Sequence, residues 1–295
     1  MIAISLALAA AFAATAYLGI CGLVAHRFTR TRRQHPQLSL REAPAVQAVS
    51  FPARDGRARI DAWYFESEPH AGAVIFVHGK DTCRGDELKS PTTALARQLV
   101  AAGLSVLMID LRGHGTSSGA RLTYGARERH DVLGAVDWLR ANGHGRIGVL
   151  GASMGAATSL LAAADEPDIM ALVADSAFTD FGLMIERQYR KLSRLPRCFL
   201  PGALAVGRLV TGVRLEEVCP LEAARSLRGR PMLVIHSGGD RFIPAEDASA
   251  LAGAAGADLW ITAGTRHLGS YASDPAAYAA RVTGFFGRHL QEVAP

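Results

Sequence analysis

Apolar positions in this chain fall into short solid runs separated by amphipathic stretches, after one much longer apolar run at the start. The runs at 73–77, 104–109, 169–174 and 231–235, and the one opening at Ile147, read as strands buried on both faces, with a last short strand at 258–262. Segments 46–51 and 57–65 instead alternate polar and apolar around Asp55-Gly56, the pattern of an antiparallel hairpin at a sheet edge. Between the buried runs the periodicity turns helical. Ser90-Pro91 reads as an N-cap with proline at the first helical position, opening a helix that stops at Gly103, and further helices are predicted over 126–141, 156–164, 245–252 and 275–289. Strand and helix alternate, which predicts an α/β fold: right-handed crossovers and a mostly parallel sheet covered by helices on both faces.

The alternation breaks once. Between Ala174 and Pro231 there are more residues than a crossover needs, including mixed basic and apolar stretches at 178–190 and 201–210. An insertion here, about 178–228, would sit above the C-terminal strand ends as a helical lid, or would be ordinary surface helices. Leu183, Met184, Phe199, Leu200, Leu204 and Leu209 are the residues expected to wall an acyl pocket.

Candidate chemistry centres on Gly151-x-Ser153-x-Gly155, where a buried strand runs into a small-residue helix. Such a pattern asks for a sharp turn that lifts the Ser153 hydroxyl above the sheet beside the free N–H groups of a helix start. An isolated pattern of this kind also suits a turn with no chemistry, but here it has the strand-turn-helix setting that the motif requires. A serine hydroxyl needs a base, and the base needs an acid to fix its tautomer. Asp240 and His267 both follow predicted strands and so fall on the same sheet edge as Ser153, where ligands bind open α/β sheets. Asp175, after the preceding strand, is the competing acid. His236 reads as a strand-end residue and His289 as part of the terminal helix. For the oxyanion the expected donors are the backbone amides of Met154 and Lys80, with Asp81 as the alternative to Lys80. The polar segment 80–86 carries charges that would either read a substrate or pair with each other.

The long run, 2–25, is uncharged, and as a helix it would rise roughly 36 Å against a hydrocarbon core of about 30 Å. Arg27, Arg30, Arg32 and Arg33 follow it, whereas no Lys or Arg precedes it. That asymmetry predicts a single-pass anchor with a cytoplasmic body. A cleaved signal peptide, leaving a secreted or periplasmic protein, is the rival, although the positive n-region it needs is missing. The net charge of +5 comes mostly from these four arginines. No basic stripe with interleaved aromatics appears, so nucleic acid is not an expected partner. Cys21, Cys83, Cys198 and Cys219 show no metal-like spacing. The expected organisation is an anchor over 1–26, a basic juxtamembrane segment and linker over 27–45, and one domain over 46–295.

Val77-His78-Gly79, Asp110-x-Arg112-Gly113-His114-Gly115-x-Ser117, Gly151-x-Ser153-x-Gly155, His236-x-x-x-Asp240-x-x-x-Pro244 and His267, in that order, resemble the α/β-hydrolase superfamily. The similarity is to the serine aminopeptidase-type, monoglyceride-lipase-like branch, which includes bacterial members with an N-terminal hydrophobic anchor, and it covers about 46–290. The resemblance implies a Ser-Asp-His hydrolase that works through an acyl-enzyme without metal or cofactor, with Ser153, Asp240 and His267 at the matching positions. Two departures stand out: Ser237 where relatives commonly carry glycine, and Lys80-Asp81 where anchored relatives often carry small or amide residues. Since one scaffold hosts many chemistries, the expectation is hydrolysis of a small-molecule carboxylic ester. A peptidase, amidase or thioesterase, acyl transfer, and a catalytically silent tethered binding protein are the alternatives.

Overall fold

The computed structural model describes residues 1–38, 46–68, 72–88 and 92–291. The predicted Ser90-Pro91 cap and part of the 27–45 linker lie outside them. Helix α1 (Ile2–Thr29) is followed by the hairpin β1 (Gln47–Pro52) and β2 (Arg59–Phe65), then β3 (Gly72–Val77), α2 (Thr92–Ala101), β4 (Leu104–Ile109), α3 (Arg129–Ala141), β5 (Ile147–Ala152), α4 (Met154–Asp165) and β6 (Ile169–Asp175). A helical insertion holds α5 (Phe181–Ser193), α6 (Leu200–Thr211) and α7 (Pro220–Ser226). The chain closes with β7 (Met232–Ser237), α8 (Ala245–Ala255), β8 (Asp258–Thr262), the short α9 (Ser270–Ser273) and α10 (Pro275–Leu290).

The eight strands form one sheet in the order β1-β2-β4-β3-β5-β6-β7-β8. β1/β2 and β2/β4 pair antiparallel and the rest are parallel. Each of β3, β4, β5 and β7 is buried along its whole length, as solid apolar runs predict, because helices cover both faces. Leu139, Leu160 and Leu251 from α3, α4 and α8 pack one face; Leu99, Tyr278 and Phe286 from α2 and α10 pack the other. Burying a leucine or phenylalanine fully is worth about 1.5–3 kcal/mol, so two such layers hold the sheet between them.

Where β5 meets α4, the helix is drawn hard against the sheet. A Cβ on Gly155 would lie 2.2 Å from the carbonyl oxygen of Val77, so no other residue fits without moving the backbone of β3 or α4.

Helix α1 is not a free tether. Its first eighteen residues are exposed or nearly so, but Cys21, Val24, Ala25 and Thr29 are buried against the insertion. Val24 joins Tyr189 and Ala203 in a small core of its own, Tyr17 stacks on Phe199 with ring centroids 5.3 Å apart, and the Tyr17 hydroxyl donates to the Cys198 carbonyl at 2.9 Å. Gly202 permits the crossing, since a Cβ there would lie 2.4 Å from Cys21 Sγ. This packing corrects the expected acyl wall. Phe199 and Leu200 face α1, Leu183 and Leu209 are 49% and 84% exposed, and of the named leucines, phenylalanine and methionine only Met184 reaches the cavity described below. α6 turns its apolar surface to a second apolar helix, which its own sequence does not reveal.

The backbone contact at the elbow yields a measurable difference. Gly155→Ala should cost about 3 kcal/mol or more of stability, read as a lowered denaturant midpoint of the purified protein. Gly145→Ala, whose Cβ meets nothing within 4 Å, should shift it by about 0.5 kcal/mol or less. Equal midpoints for the two variants would contradict the packing.

Candidate active site

Ser153 sits between β5 and α4 with φ 53° and ψ −118°, a conformation in which a non-glycine side chain is held under strain. The strain is held by neighbours: the Ser153 amide donates to the Asp175 carbonyl at 2.8 Å, and its own carbonyl accepts from the Ala156 and Ala157 amides at 3.0 and 3.1 Å. The hydroxyl is thereby aimed over the C-terminal edge of the sheet.

His267, on the loop after β8, meets it there, with Nε2 2.7 Å from Ser153 Oγ. The other ring nitrogen, Nδ1, lies 2.6 Å from Asp240 Oδ2. With Nδ1–H donating to the carboxylate, Nε2 is left as the acceptor facing the hydroxyl, the tautomer a general base requires. Asp240 Oδ1 accepts from the amides of Phe242 and Ile243 at 2.7 and 3.0 Å. Burial by itself would raise this carboxyl, but the hydrogen bond and charge interaction with His267 and the two amides outweigh it and hold the pKa below the ordinary aspartate value. Phe242 in turn packs edge-on against the His267 ring, centroids 5.2 Å apart.

The competing acid is engaged elsewhere. Asp175 accepts from the Ser176 hydroxyl at 2.8 Å and from the Tyr278 hydroxyl at 3.0 Å, and complete burial pushes its pKa up to about 6. His236 is buried, with Nε2 3.1 Å from the Ile243 carbonyl, so it ties down the loop that carries Asp240. The Ser237 hydroxyl lies 3.4 Å from that of Ser270 and fills space beneath the His267 loop, where a Cβ on Gly264 would come within 2.5 Å of it.

Two loops shape the floor opposite His267. His78, fully buried, accepts from the Leu111 amide through Nε2 at 3.1 Å and places Nδ1 2.7 Å from the Gly79 carbonyl. His114 Nε2 accepts from the Asp81 amide at 3.3 Å. Burial lowers the pKa of both rings, that of His114 well below the ordinary histidine value, so both are neutral pins that join the loop after β3 to the loop after β4. The Asp81 amide is thus occupied, whereas no acceptor among the described residues takes the Lys80 amide. Met154 is the first residue of α4, and a first helical N–H has no intrahelical acceptor. Most charges of segment 80–86 pair among neighbours: Lys80 with Asp81, and Arg84 with Asp110, while Arg84 also lies over the Trp63 ring at 4.7 Å.

Ser153, Met154, Lys80 and His267 open on one cavity of about 520 Å³, with Phe178, Met184, Ile185, Leu192 and Phe242 as its apolar side. Arg27, Phe28, Arg30 and Arg32, from the end of α1 and the strap after it, also line it. Sequence reasoning missed these four as site residues. The only signal was the positive charge of the three arginines, which reads equally well as a membrane flank. Among the described residues no group of three or more His, Cys, Asp or Glu side chains is arranged to hold a metal ion.

A family model described as serine aminopeptidase, S33 matches residues 68–219. The uncharacterized protein YqkD of Bacillus subtilis is 38% identical over 149 residues, which is 48% of each chain, so the chain spans about half the length of that relative. The uncharacterized protein MT2364 of Mycobacterium tuberculosis is 31% identical over 220 residues, 72% of this chain and 68% of that one. Among solved structures, the esterase Pf2001 of Pyrococcus furiosus superposes with a TM-score of 0.74 at 23% identity, covering 89% of this chain and 98% of the other. An acylaminoacyl peptidase of Pyrococcus horikoshii superposes at 0.58 and 19% identity, covering 84% and 42%. These two share the fold. With the family model matching over half of the sequence and the mycobacterial relative covered over two thirds of its length, the chain belongs to the serine aminopeptidase, S33 family of α/β hydrolases.

Proposed function

We propose that the protein is a membrane-tethered serine hydrolase that cleaves carboxylic esters, with Ser153 as nucleophile, His267 as general base and acid, and Asp240 as the orienting acid. The observation that carries this reading is the unbroken chain Ser153 Oγ–His267 Nε2 and His267 Nδ1–Asp240 Oδ2, 2.7 and 2.6 Å long, facing a cavity with one apolar side. Folding does not require a strained serine, a half-buried imidazole and a buried carboxylate to meet, so their convergence speaks against a silent binding protein.

In the reaction His267 Nε2 takes the hydroxyl proton as Ser153 Oγ bonds to the ester carbonyl carbon, and the Met154 and Lys80 amides hold the oxyanion. The carbon–oxygen bond to the leaving alkoxide breaks as His267 returns the proton to it. Water then repeats the sequence on the acyl-enzyme, releasing a carboxylic acid and restoring Ser153. An ester asks only for these groups and an apolar wall for the acyl chain. The family description keeps an amidase or peptidase reading as the second candidate, and aminoacyl amides assayed beside esters of the same acyl group separate the two.

The packing of Cys21, Val24 and Ala25 into the insertion supports a retained anchor over a cleaved leader, and the arginines after α1 support a cytoplasmic body.

Ser153→Ala and His267→Ala should each lower ester turnover by on the order of 10³-fold or more while leaving the thermal midpoint within a few degrees. Asp240→Asn should lose on the order of 10⁴-fold in kcat, and Asp175→Asn should stay within a few-fold of the parent. Reversal of that last pair would move the acid role to Asp175. Intact-mass measurement of membrane-extracted protein should find residues 1–29 attached; a new N-terminus inside α1 would contradict the anchor.

A further inference from the structure

The point at which α1 leaves the lipid coincides with the mouth of the catalytic cavity. Along residues 2–19 of α1 every side chain but Tyr17 is exposed, and eighteen residues rise about 27 Å, close to the hydrocarbon thickness of about 30 Å. From Cys21 onward one side of the helix, Cys21, Val24, Ala25 and Thr29, is buried on protein, so the headgroup layer falls at about residues 20–32. Arg27, Phe28, Arg30 and Arg32, which line the same cavity as Ser153 and His267, belong to that stretch. The cavity therefore opens at headgroup depth.

The strap is fixed in place. Leu122 N donates to the Thr29 carbonyl at 2.8 Å, Tyr124 OH to the Phe28 carbonyl at 2.9 Å, and Thr31 Oγ1 to the Gly113 carbonyl at 2.5 Å. The Arg33 guanidinium donates to the carbonyls of Ser117 and Gly119 at 2.7 and 2.6 Å, and Arg32 N to Asp81 Oδ1 at 2.8 Å. Arg33 is thus consumed in holding the backbone. Arg27, Arg30 and Arg32 are exposed, and among the described residues none of their guanidinium groups has a carboxylate within ion-pair distance. Lys80 and Asp81 neutralise each other, which leaves Asp86 as the exposed lining carboxylate without a cation among the described residues. The rim is net cationic.

We propose that the substrate is an anionic amphiphilic acyl ester drawn from the leaflet in which α1 ends, its headgroup held by Arg27, Arg30 and Arg32 while its acyl carbonyl reaches Ser153. This rests on the ester-hydrolase reading. A phosphate or carboxylate at the rim would find guanidinium groups on a docked strap, where bidentate pairing is favourable, and the acyl chain would lie along Phe178, Met184, Ile185 and Phe242.

The test uses the full chain in nanodiscs. It compares kcat/KM for 1-acyl lysophosphatidylglycerol and for 1-acyl lysophosphatidylcholine of the same chain length, with monobutyryl glycerophosphate as a soluble anionic ester and p-nitrophenyl butyrate as a soluble neutral one. The expected result is a tenfold or greater preference for the anionic lysolipid, falling at least fivefold in Arg27→Gln/Arg30→Gln/Arg32→Gln. It should persist in Arg190→Gln/Arg194→Gln/Arg197→Gln, which removes as much positive charge from the lid. Equal falls in both triple variants would reduce the effect to general surface electrostatics and overturn the proposal. So would no preference, or cleavage of monobutyryl glycerophosphate as fast as of the anionic lysolipid. Turnover of p-nitrophenyl butyrate without turnover of either lysolipid would overturn the substrate class alone, and no turnover of any ester would overturn the hydrolase reading with it.

Discussion

The structure depends on one close approach, that of α4 to the end of β3. Because Gly155 lets the helix lie against the Val77 carbonyl, the turn before it must be sharp, and Ser153 is forced to positive φ. The same contact sets the first turn of α4 beside the loop that carries Lys80. Ser153, the Met154 amide and the Lys80 loop are thus brought together by a single backbone constraint, and the strain at Ser153 is offset by burial of two helical layers on the central strands of the sheet.

A second layer of organisation is polar and buried. Neutral His78 and His114 join the loops after β3 and β4, and Asp110 accepts from the Arg84 and Thr116 amides at 2.8 and 3.0 Å. Buried polar groups are tolerated when each finds a partner, and these do so by linking loops that strands alone would leave independent. The strap after α1 is tied into the same network through Gly113, Ser117 and Asp81. Helix α1, the loop after β3 and the loop after β4 accordingly form one connected wall of the cavity.

How much was legible in the sequence follows from where the information lies. Strands β3 to β7 were readable because burial on both faces demands largely unbroken apolar runs, and Ser153, Asp240 and His267 were readable as candidates because each follows a predicted strand. The acyl wall was not. α1 is apolar all round, so its pattern says nothing of which side meets protein, and α6 looks like a lid helix facing a ligand when it faces α1. Arg27, Arg30 and Arg32 were visible as charge, but their place on the cavity rim depends on a strap held by backbone carbonyls of distant loops, which no local pattern encodes. The charges of segment 80–86 had two readings until Arg84 was seen to pair with Asp110.

The central claim is that Ser153 is an activated nucleophile. Its most direct test is the reaction of the purified full chain with a fluorophosphonate, followed by peptide mapping of the adduct by mass spectrometry. The account predicts a single covalent phosphonyl group on the peptide containing Ser153, formed in wild type and in Asp175→Asn and absent from Ser153→Ala and His267→Ala. An unmodified Ser153 in folded protein, or an adduct on another residue, would contradict it.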